Sequence, residues 1–323
     1  MHAIQLHEFG PAENLRYESI PDPTPGPGQV RIEVAACGVH LVDTALRRGE
    51  PGPFPVPALP TVPGREVAGV VDRVGDGVDG ALLGTRVVAH LGTAPGGYAE
   101  LAVTEAERLL AIPDGVSFSA AVAMVGTGRT ALGILQFTDL NADSVAVVTS
   151  AAGGIGTLLV QYAVAAGATV VALAGGPDKV AMVRANGADI AVDYTLPDWP
   201  ARVRAQLGGR AATVVFDGVG GPVAEAAVDL LGPGGAHLVF GWSSGAPAQV
   251  DTATRGITSD TVLGPPMIQR AGGDLRVLSE RALADAGTSL FRPAVTEFPL
   301  AEAATAHHGL ESRATTGKVV LIP

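Results

Sequence analysis

"VAVVTSAAGGIGTLLVQYAVAAGATVVAL" spans Val145 to Leu173 and sets three close glycines between two apolar runs. Residues 145–149 read as a buried strand, "TLLVQYAVAAG" as the helix that follows, and "SAAGGIG" as the turn between them. Gly153 and Gly154 let the backbone turn and approach a pyrophosphate without a Cβ in the way. Gly156 lets the helix pack on the strand. The helix start offers free N–H groups and the positive end of its dipole to phosphate. Ala152 and Ile155 lie in the same turn and complete the expected cradle. The first glycine of the usual GxGxxG pattern is Ala151 here, so the motif is imperfect, and the alternative is a tight turn in a buried strand–helix unit.

The flanking chain strengthens the nucleotide reading. From about Ser119 onward, apolar strand-like runs at 145–150, 169–174, 188–192, 212–217, 235–241 and 257–264 alternate with helical stretches at 154–166, 177–186, 198–207 and 221–231. Six buried strands with short helical crossovers predict a doubly wound parallel sheet of the Rossmann type. Residues 1–115 differ. They are rich in Gly and Pro and in short β-like runs such as 29–39, 66–75 and 84–92, which predicts an irregular, mostly β domain. "PDPTPGPGQ" (21–29) reads as a stiff extended connector into a strand. A helix at 274–287, a strand near 292–298, a helix at 300–311 and the final "GKVVLIP" are expected to return to the first domain. The expected division is 1–120 with 266–323, and 121–265.

Composition narrows the function. The chain has 323 residues, 47% hydrophobic and 16% charged, enough for two cores. Its 32 acidic residues against 21 basic ones give a net charge of −11, which argues against nucleic acid and anionic membrane surfaces. Only Lys179 and Lys318 are lysines. Cys37 is the single cysteine, so no internal disulfide can form and a reducing compartment fits. "MHAIQLHEFG" lacks the features of a signal peptide, and no run reads as approaching the roughly 18 apolar residues of a membrane helix. A cytoplasmic protein with a small-molecule substrate is expected.

The second strand of such a unit carries the ribose selector. An acidic residue at its end would hold the 2′-OH of NAD, whereas a nearby cation suits the 2′-phosphate of NADP. Here "TVVALAGGPDK" ends in Ala174, Gly175 and Gly176. Asp178 is expected to cap the next helix. Lys179 falls within reach of a ribose phosphate, or is a solvated helix lysine. Tyr194, ending the third strand, either bonds the same phosphate or packs at the rim.

Together these residues resemble the medium-chain dehydrogenase/reductase superfamily, and within it the zinc-independent quinone oxidoreductase (zeta-crystallin-like) branch. The resemblance runs the length of the chain through "AACGVHLVDTALRRG" (35–49), "VPGREVAGVVDRVG" (62–75), "GGYAEL" (96–101), "GTGRTALGIL" (126–135), "SAAGGIGTLLVQYA" (150–163), "FDGVGG" (216–221) and "FPLAEAATAHHGLESRATTGKVVLIP" (298–323). It implies a GroES-like, mostly β catalytic domain interrupted by a Rossmann domain, with the active site in the cleft between them. It also implies NADPH as hydride donor to quinones or the C=C of α,β-unsaturated carbonyls, and a homodimer. Lys179 and Tyr194 match the places that hold the NADP phosphate in that branch. Phe240, Gly241, Trp242 and Ser243 match the segment near the nicotinamide, and Gly175 and Val219 belong to the same set of cofactor contacts. Thr127 or Thr130 would meet the cofactor amide; Thr130 would equally bond its own helix.

The same comparison bears on metal. Zinc-dependent relatives hold a catalytic ion with Cys and His ligands, and a structural zinc would need four cysteines. Here His40 stands in the cysteine position and Arg65 in the histidine position. A guanidinium there repels a cation, so no metal is expected. His40 departs from the branch, which often carries Asn; it is either a substrate-binding or catalytic donor or a satisfied structural histidine. Ala45 stands where the branch often has Tyr, which disfavours a flat quinone and leaves a roomier pocket. Asp43 is expected to cap or to pair with Arg47, with a proton relay as the alternative. Arg65 either binds a carbonyl or acid group or pairs with Glu66 or Asp43. His307 and His308 are assigned no chemistry. Reduction of a dedicated intermediate such as an enoyl thioester, or NADPH binding without catalysis, are the alternative functions.

Overall fold

The computed structural model describes residues 1–50, 55–93 and 95–323, which divide into two compact units: Met1–Thr127 with Pro293–Pro323, and Gly128–Arg292. The chain opens with an antiparallel pair, β1 (His2–Leu6) and β2 (Leu15–Ser19). After the proline-rich connector come β3 (Gln29–Val39), helix α1 (Leu41–Arg47), β4 (Glu66–Val74), β5 (Arg86–His90), β6 (Leu101–Glu105) and β7 (Leu109–Ala111). Helix α2 (Phe118–Ala123) follows, with Ser117 capping it through Ala120 N–H, and a π-helical turn, Met124–Gly128, succeeds it.

The second unit begins with α3 (Arg129–Leu135). Strands β8 (Val145–Val148), β9 (Thr169–Ala174), β10 (Ile190–Asp193), β11 (Ala212–Asp217), β12 (Leu231–Val239) and β13 (Thr258–Thr261) alternate with α4 (Gly154–Ala165), α5 (Pro177–Ala185), α6 (Trp199–Leu207), α7 (Gly221–Val228) and α8 (Thr252–Arg255). The six strands form one parallel sheet in the order β10-β9-β8-β11-β12-β13. That order reverses beside β8, the place where doubly wound folds bind ligands. One face buries Val145, Val147, Val171, Leu173, Ile190, Val192 and Val215 in a common core. The intervening Ala146, Val148, Val170 and Ala172 are also buried. Burial on both faces explains why these strands read as continuous apolar runs.

Helices α9 (Pro265–Arg270) and α10 (Arg276–Gly287) complete this unit. Residues 266–292 had been expected in the first domain. They join the second because both helices pack on α3, with Met267 and Leu278 closing over Gly133. Strand β12 also begins four residues before the expected 235, since Leu231 already pairs with Ala212, and α7 therefore stops at Val228.

The chain then returns to the first unit with β14 (Val295–Pro299), α11 (Ala303–Glu311) and β15 (Lys318–Ile322). These strands extend a seven-stranded sheet, β14-β15-β3-β4-β5-β7, in which β6 also pairs with β3. Ile4, Leu6, Ile32, Val67, Val71, Tyr98, Val319 and Leu321 share its core.

One expectation about apolar runs is corrected. The consecutive helical segments from Phe118 to Leu135 make 18 residues of mean hydropathy 1.4, long and apolar enough to cross a membrane, and 72% of them are buried within the protein. Small residues, Ser119, Ala120 and Gly126 among them, hid this length in the sequence. The burial supplies a reason for the hydropathy without a membrane.

Candidate functional site

In the second unit, the glycine turn lies between β8 and α4, as its spacing predicts. Ser150, in the turn two residues after β8, lies in the left-handed region at φ 44°, a conformation costly for a residue with a Cβ and typical of functional turns. Ala151 N–H bonds Leu173 O at 2.9 Å, which ties the turn to β9, and Ala152 is buried beside it. Gly153 occupies the N-cap of α4 and no side chain caps the helix. Gly154, Ile155 and Gly156 form its first turn. A Cβ on Gly156 would overlap Ser150 O and stand 2.8 Å from Ala151 Cα, so this glycine is required for helix–strand packing. Thr157 Oγ1 donates to Gly153 O at 2.8 Å and steadies the entry.

The residues expected on the ribose side gather at the ends of β9 and β10. The Tyr194 ring lies against Gly175: its hydroxyl would be 3.4 Å from a Cβ built there. Asp193 accepts from Gly176 N–H at 3.0 Å and from Thr195, and these bonds, the Gly176 one foremost, hold its carboxyl below the usual range. Asp193 is thereby engaged with its own loop. Lys179 sits in the first turn of α5. Asp178 does not cap that helix: Gly176, at φ 89°, takes the N-cap and Pro177 follows at N1, placing Asp178 one residue too far along.

The loops after β11 and β12 form one layer. The Phe240 ring covers Gly218, and Trp242 packs on Gly220, where a Cβ would meet it at 2.7 Å. Ser243 N–H bonds Gly218 O at 3.1 Å and Ser244 N–H bonds Val219 O at 2.8 Å, so Val219 and the Phe240–Ser243 segment are held together, with Gly241 between them. Sequence reasoning missed what anchors this layer. Asp217 is fully buried and accepts from Val219 N–H (2.9 Å), Gly220 N–H (3.0 Å) and Thr149 Oγ1 (3.1 Å), with His237 Nε2 at 3.3 Å. Burial works against its charge, yet His237 and the two N–H groups hold the carboxyl below the usual range. The apolar run around "FDGVGG" was the available signal: an aspartate inside it needs partners. Thr130 lies in the first turn of α3.

In the first unit, polar residues form two adjoining clusters that are largely buried, with His40 half-buried between them. His40 is the N-cap of α1, and its N–H donates to Asp43 Oδ2 at 2.8 Å. Asp43 also accepts from Arg65 Nη2 on Oδ1 (2.9 Å) and from Tyr98 O–H (3.1 Å). The expected pairing of Asp43 with Arg47 is therefore corrected. Arg47 turns the other way, to Gly10 O (3.0 Å), Glu311 (2.7 Å) and His307 Nδ1 (3.4 Å). Of the alternatives for Arg65, Asp43 is the partner. His307 is fully buried, its Nε2 3.3 Å from the Tyr98 hydroxyl. Guanidinium only donates, so Nδ1 accepts and Nε2 carries the proton.

The second cluster comprises His40, Glu66 and Lys318. Glu66 Oε2 accepts from Lys318 Nζ at 2.9 Å, and Glu66 Oε1 is 2.7 Å from His40 Nε2. Lys318 Nζ is itself 2.6 Å from His40 Nε2. Burial opposes the charge on Glu66, but His40 and Lys318 more than offset it and hold the carboxyl well below the usual range. A Cβ on Gly126 would overlap the Glu66 carboxylate, so the π-helical turn places bare backbone against it. Thr127 is buried in that same turn. Glu66 had been weighed only as a partner for Arg65, and Lys318 was not assigned. A lone lysine opening an apolar final strand was the signal for it.

The fold and the glycine turn are those of a GroES-like domain joined to a Rossmann-type domain. Residues 26–114 match the model of the alcohol dehydrogenase GroES-like domain, and residues 154–276 that of the zinc-binding dehydrogenase. The chain is 33% identical to the quinone oxidoreductase of Pseudomonas aeruginosa and 30% identical to the 2-haloacrylate reductase of a Burkholderia species, covering 99% of itself in each case and 99% and 98% of those proteins. It superposes on Escherichia coli quinone oxidoreductase, solved in complex with NADPH, with a TM-score of 0.85 at 29% identity and full coverage of both chains. The chain belongs to the medium-chain dehydrogenase/reductase superfamily, in its zeta-crystallin-like quinone oxidoreductase branch.

Proposed function

We propose that this protein is an NADPH-dependent oxidoreductase that reduces quinones or the C=C bond of α,β-unsaturated carbonyl compounds without zinc. The observation that carries the reading is the uncapped start of α4 behind a strained Ser150, where three glycines leave backbone N–H groups open to a pyrophosphate. The residues fit the cofactor. Gly153 to Gly156 would hold the diphosphate, Lys179 and Tyr194 the ribose phosphate beside Gly175, and the Val219 and Phe240–Ser243 layer the nicotinamide side. Bound there, NADPH supplies the hydride. The chain's own residues hold the substrate carbonyl and meet its growing negative charge, a task assigned to His40, with Arg65 and Thr127 in support.

The donor set does not fit zinc. Arg65 is locked to Asp43, a lysine ammonium stands 2.6 Å from His40 Nε2, and Cys37 is buried with its thiol pushed up to about 12 by desolvation. Similarity to a 2-haloacrylate reductase favours a small unsaturated acid as a second substrate class.

The test is NADPH oxidation over a panel of quinones, enones, enoyl thioesters and 2-haloacrylates, on protein whose metal content has been measured. Turnover without zinc is expected. NADPH binding with no turnover across the panel, or about one zinc per chain lost together with activity, would overturn it.

A further inference from the structure

Asp217 divides its hydrogen bonds unequally between its two oxygens. Oδ1 accepts three, from Val219 N–H at 2.9 Å, Gly220 N–H at 3.0 Å and Thr149 Oγ1 at 3.1 Å. Oδ2 is met by His237 Nε2 at 3.3 Å. Both residues are buried, Asp217 at 0% and His237 at 1% exposure. An ionised carboxylate only accepts, so His237 Nε2 carries a proton whether the ring is neutral or charged. The other side of the ring is also engaged: Nδ1 lies 2.8 Å from Ser259 Oγ on the edge strand β13. His237 stands opposite both Val215 and Ser259 in the parallel register, and Asp217 follows Val215 by two residues. Residues two apart share a sheet face, so Asp217, His237 and Ser259 form one polar row across β11, β12 and β13.

The row ends in the loop after β11. The N–H groups of Val219 and Gly220 point into Asp217, while the carbonyls of Gly218 and Val219 accept from Ser243 and Ser244 N–H. Thr149 Oγ1 takes Gly218 N–H at 2.9 Å as it donates to Asp217. The loop is therefore held from both sides, with the Phe240 ring and Trp242 lying on its glycines. Without His237, Oδ2 is buried and has no donor among the described residues. The carboxylate must then turn or shift to find one, and Oδ1 draws its three donors with it.

We propose that His237 is a positioning residue for the cofactor. By holding Oδ2 it sets the Asp217 carboxylate, and through it the loop at Gly218–Gly220 and the Phe240–Ser243 segment. The proposal rests on the reading of that layer as the nicotinamide side. The ribose phosphate is a separate matter, assigned to Lys179 and Tyr194 at the ends of β9 and β10. The nicotinamide half is common to NADPH and NADH. His237 therefore acts on both cofactors alike, and the preference between them stays with Lys179.

The first test needs no cofactor. The chain has two tryptophans, Trp199 on α6 and Trp242 against Gly220. Full-length protein labelled with 5-fluorotryptophan therefore gives two ¹⁹F signals, with Trp242 assigned by Trp242→Phe. His237→Leu should move the Trp242 signal of the folded protein and leave the Trp199 signal in place. A role in stability alone would lower the urea midpoint without moving Trp242. In the wild type, ¹⁵N-histidine spectra should show a proton on His237 Nε2. An unprotonated Nε2, or an unmoved Trp242 signal in His237→Leu, overturns the proposal whether or not a cofactor binds.

Fluorescence titration then reads the cofactor. His237→Leu should weaken NADPH and NADH in the same ratio, by about fivefold or more, the lower end of what a stranded buried acceptor costs. His237→Gln returns an N–H donor near the place of Nε2. It should keep the Trp242 signal and hold both affinities within about twofold of wild type. It also serves where the leucine variant does not fold, since a moved Trp242 signal in His237→Gln overturns the proposal by itself. Loss of NADPH affinity alone would overturn it too, because the effect would then lie at the ribose phosphate. A moved Trp242 signal with both affinities unchanged would instead strike the reading of this layer as the nicotinamide side, and the proposal with it.

Discussion

At the scale of single residues, cofactor choice and chemistry separate cleanly. Lys179 stands in the first turn of α5 and Tyr194 lies against Gly175, at the end of a strand with no acidic terminus. A lysine meeting a ribose phosphate contributes about 1–3 kcal/mol through charge-assisted hydrogen bonds. Lys179→Ala is therefore expected to weaken NADPH binding by about tenfold or more and leave NADH nearly unchanged, as measured by fluorescence titration; equal losses for the two cofactors would refute the assignment. His40 is the residue we propose for the substrate. Loss of one oxyanion-type donor costs about 10²–10³ in rate. His40→Ala should lose kcat on that scale while NADPH affinity holds, and His40→Asn, which keeps a donor, should retain part of it. A full-rate alanine variant would make His40 purely structural.

At the scale of elements, the turn between β8 and α4 shows why its glycines are not interchangeable. Gly156 faces Ser150 O and Ala151 Cα directly, with no space for a methyl group. Gly153 meets only Ser150 O, at 3.2 Å from an added Cβ. Gly156→Ala must push α4 off the strand, and overpacking of this kind costs about 1–3 kcal/mol. Urea unfolding should show that loss, and NADPH affinity should fall with it because the first-turn N–H groups move. An alanine variant of unchanged stability would show that the turn has slack the structure does not. The layer held by Asp217 follows the same logic: one buried carboxylate gathers Thr149, Val219 and Gly220 and sets the shape of two loops.

At the scale of the whole molecule, the chain leaves the first unit, builds the second, and returns to supply β15 and α11. The return places Lys318 beside Glu66, and His307 beside Tyr98 and Arg47, across sequence separations of 252, 209 and 260 residues. Desolvation lowers the His307 imidazole to about 4 from an ordinary value of 6.5. Between those values the unfolded chain binds a proton that the folded chain refuses, so stability is present above about pH 6.5 and is lost as the pH falls toward 4. The full effect is up to about 3 kcal/mol. His307→Gln, which keeps hydrogen-bonding groups but cannot titrate, should flatten the dependence of urea stability on pH across this window. An unchanged slope would assign the acid sensitivity to other groups; Glu66, whose carboxyl is held low, acts only further to the acid side.

The local pattern of the chain determined its class. Apolar runs of strand length, alternating with helices and opened by "SAAGGIG", specify a parallel sheet with a phosphate-binding turn, because both signals depend on neighbours within a few residues. The same locality made Gly153, Gly154 and Gly156 readable as candidate phosphate-binding positions, whereas the loop after β12 was named only through the family resemblance. It failed where partners are distant. That Asp43 holds Arg65 rather than Arg47, that 266–292 pack on α3, and that Lys318 meets His40 depend on strand order and on the chain's return, which no spacing along the sequence encodes. A buried charge must find an opposite charge or a donor wherever the fold brings one. The sequence by itself therefore determined that a nucleotide-binding oxidoreductase fold would form, and only the tertiary structure decided which charged side chains face one another around His40.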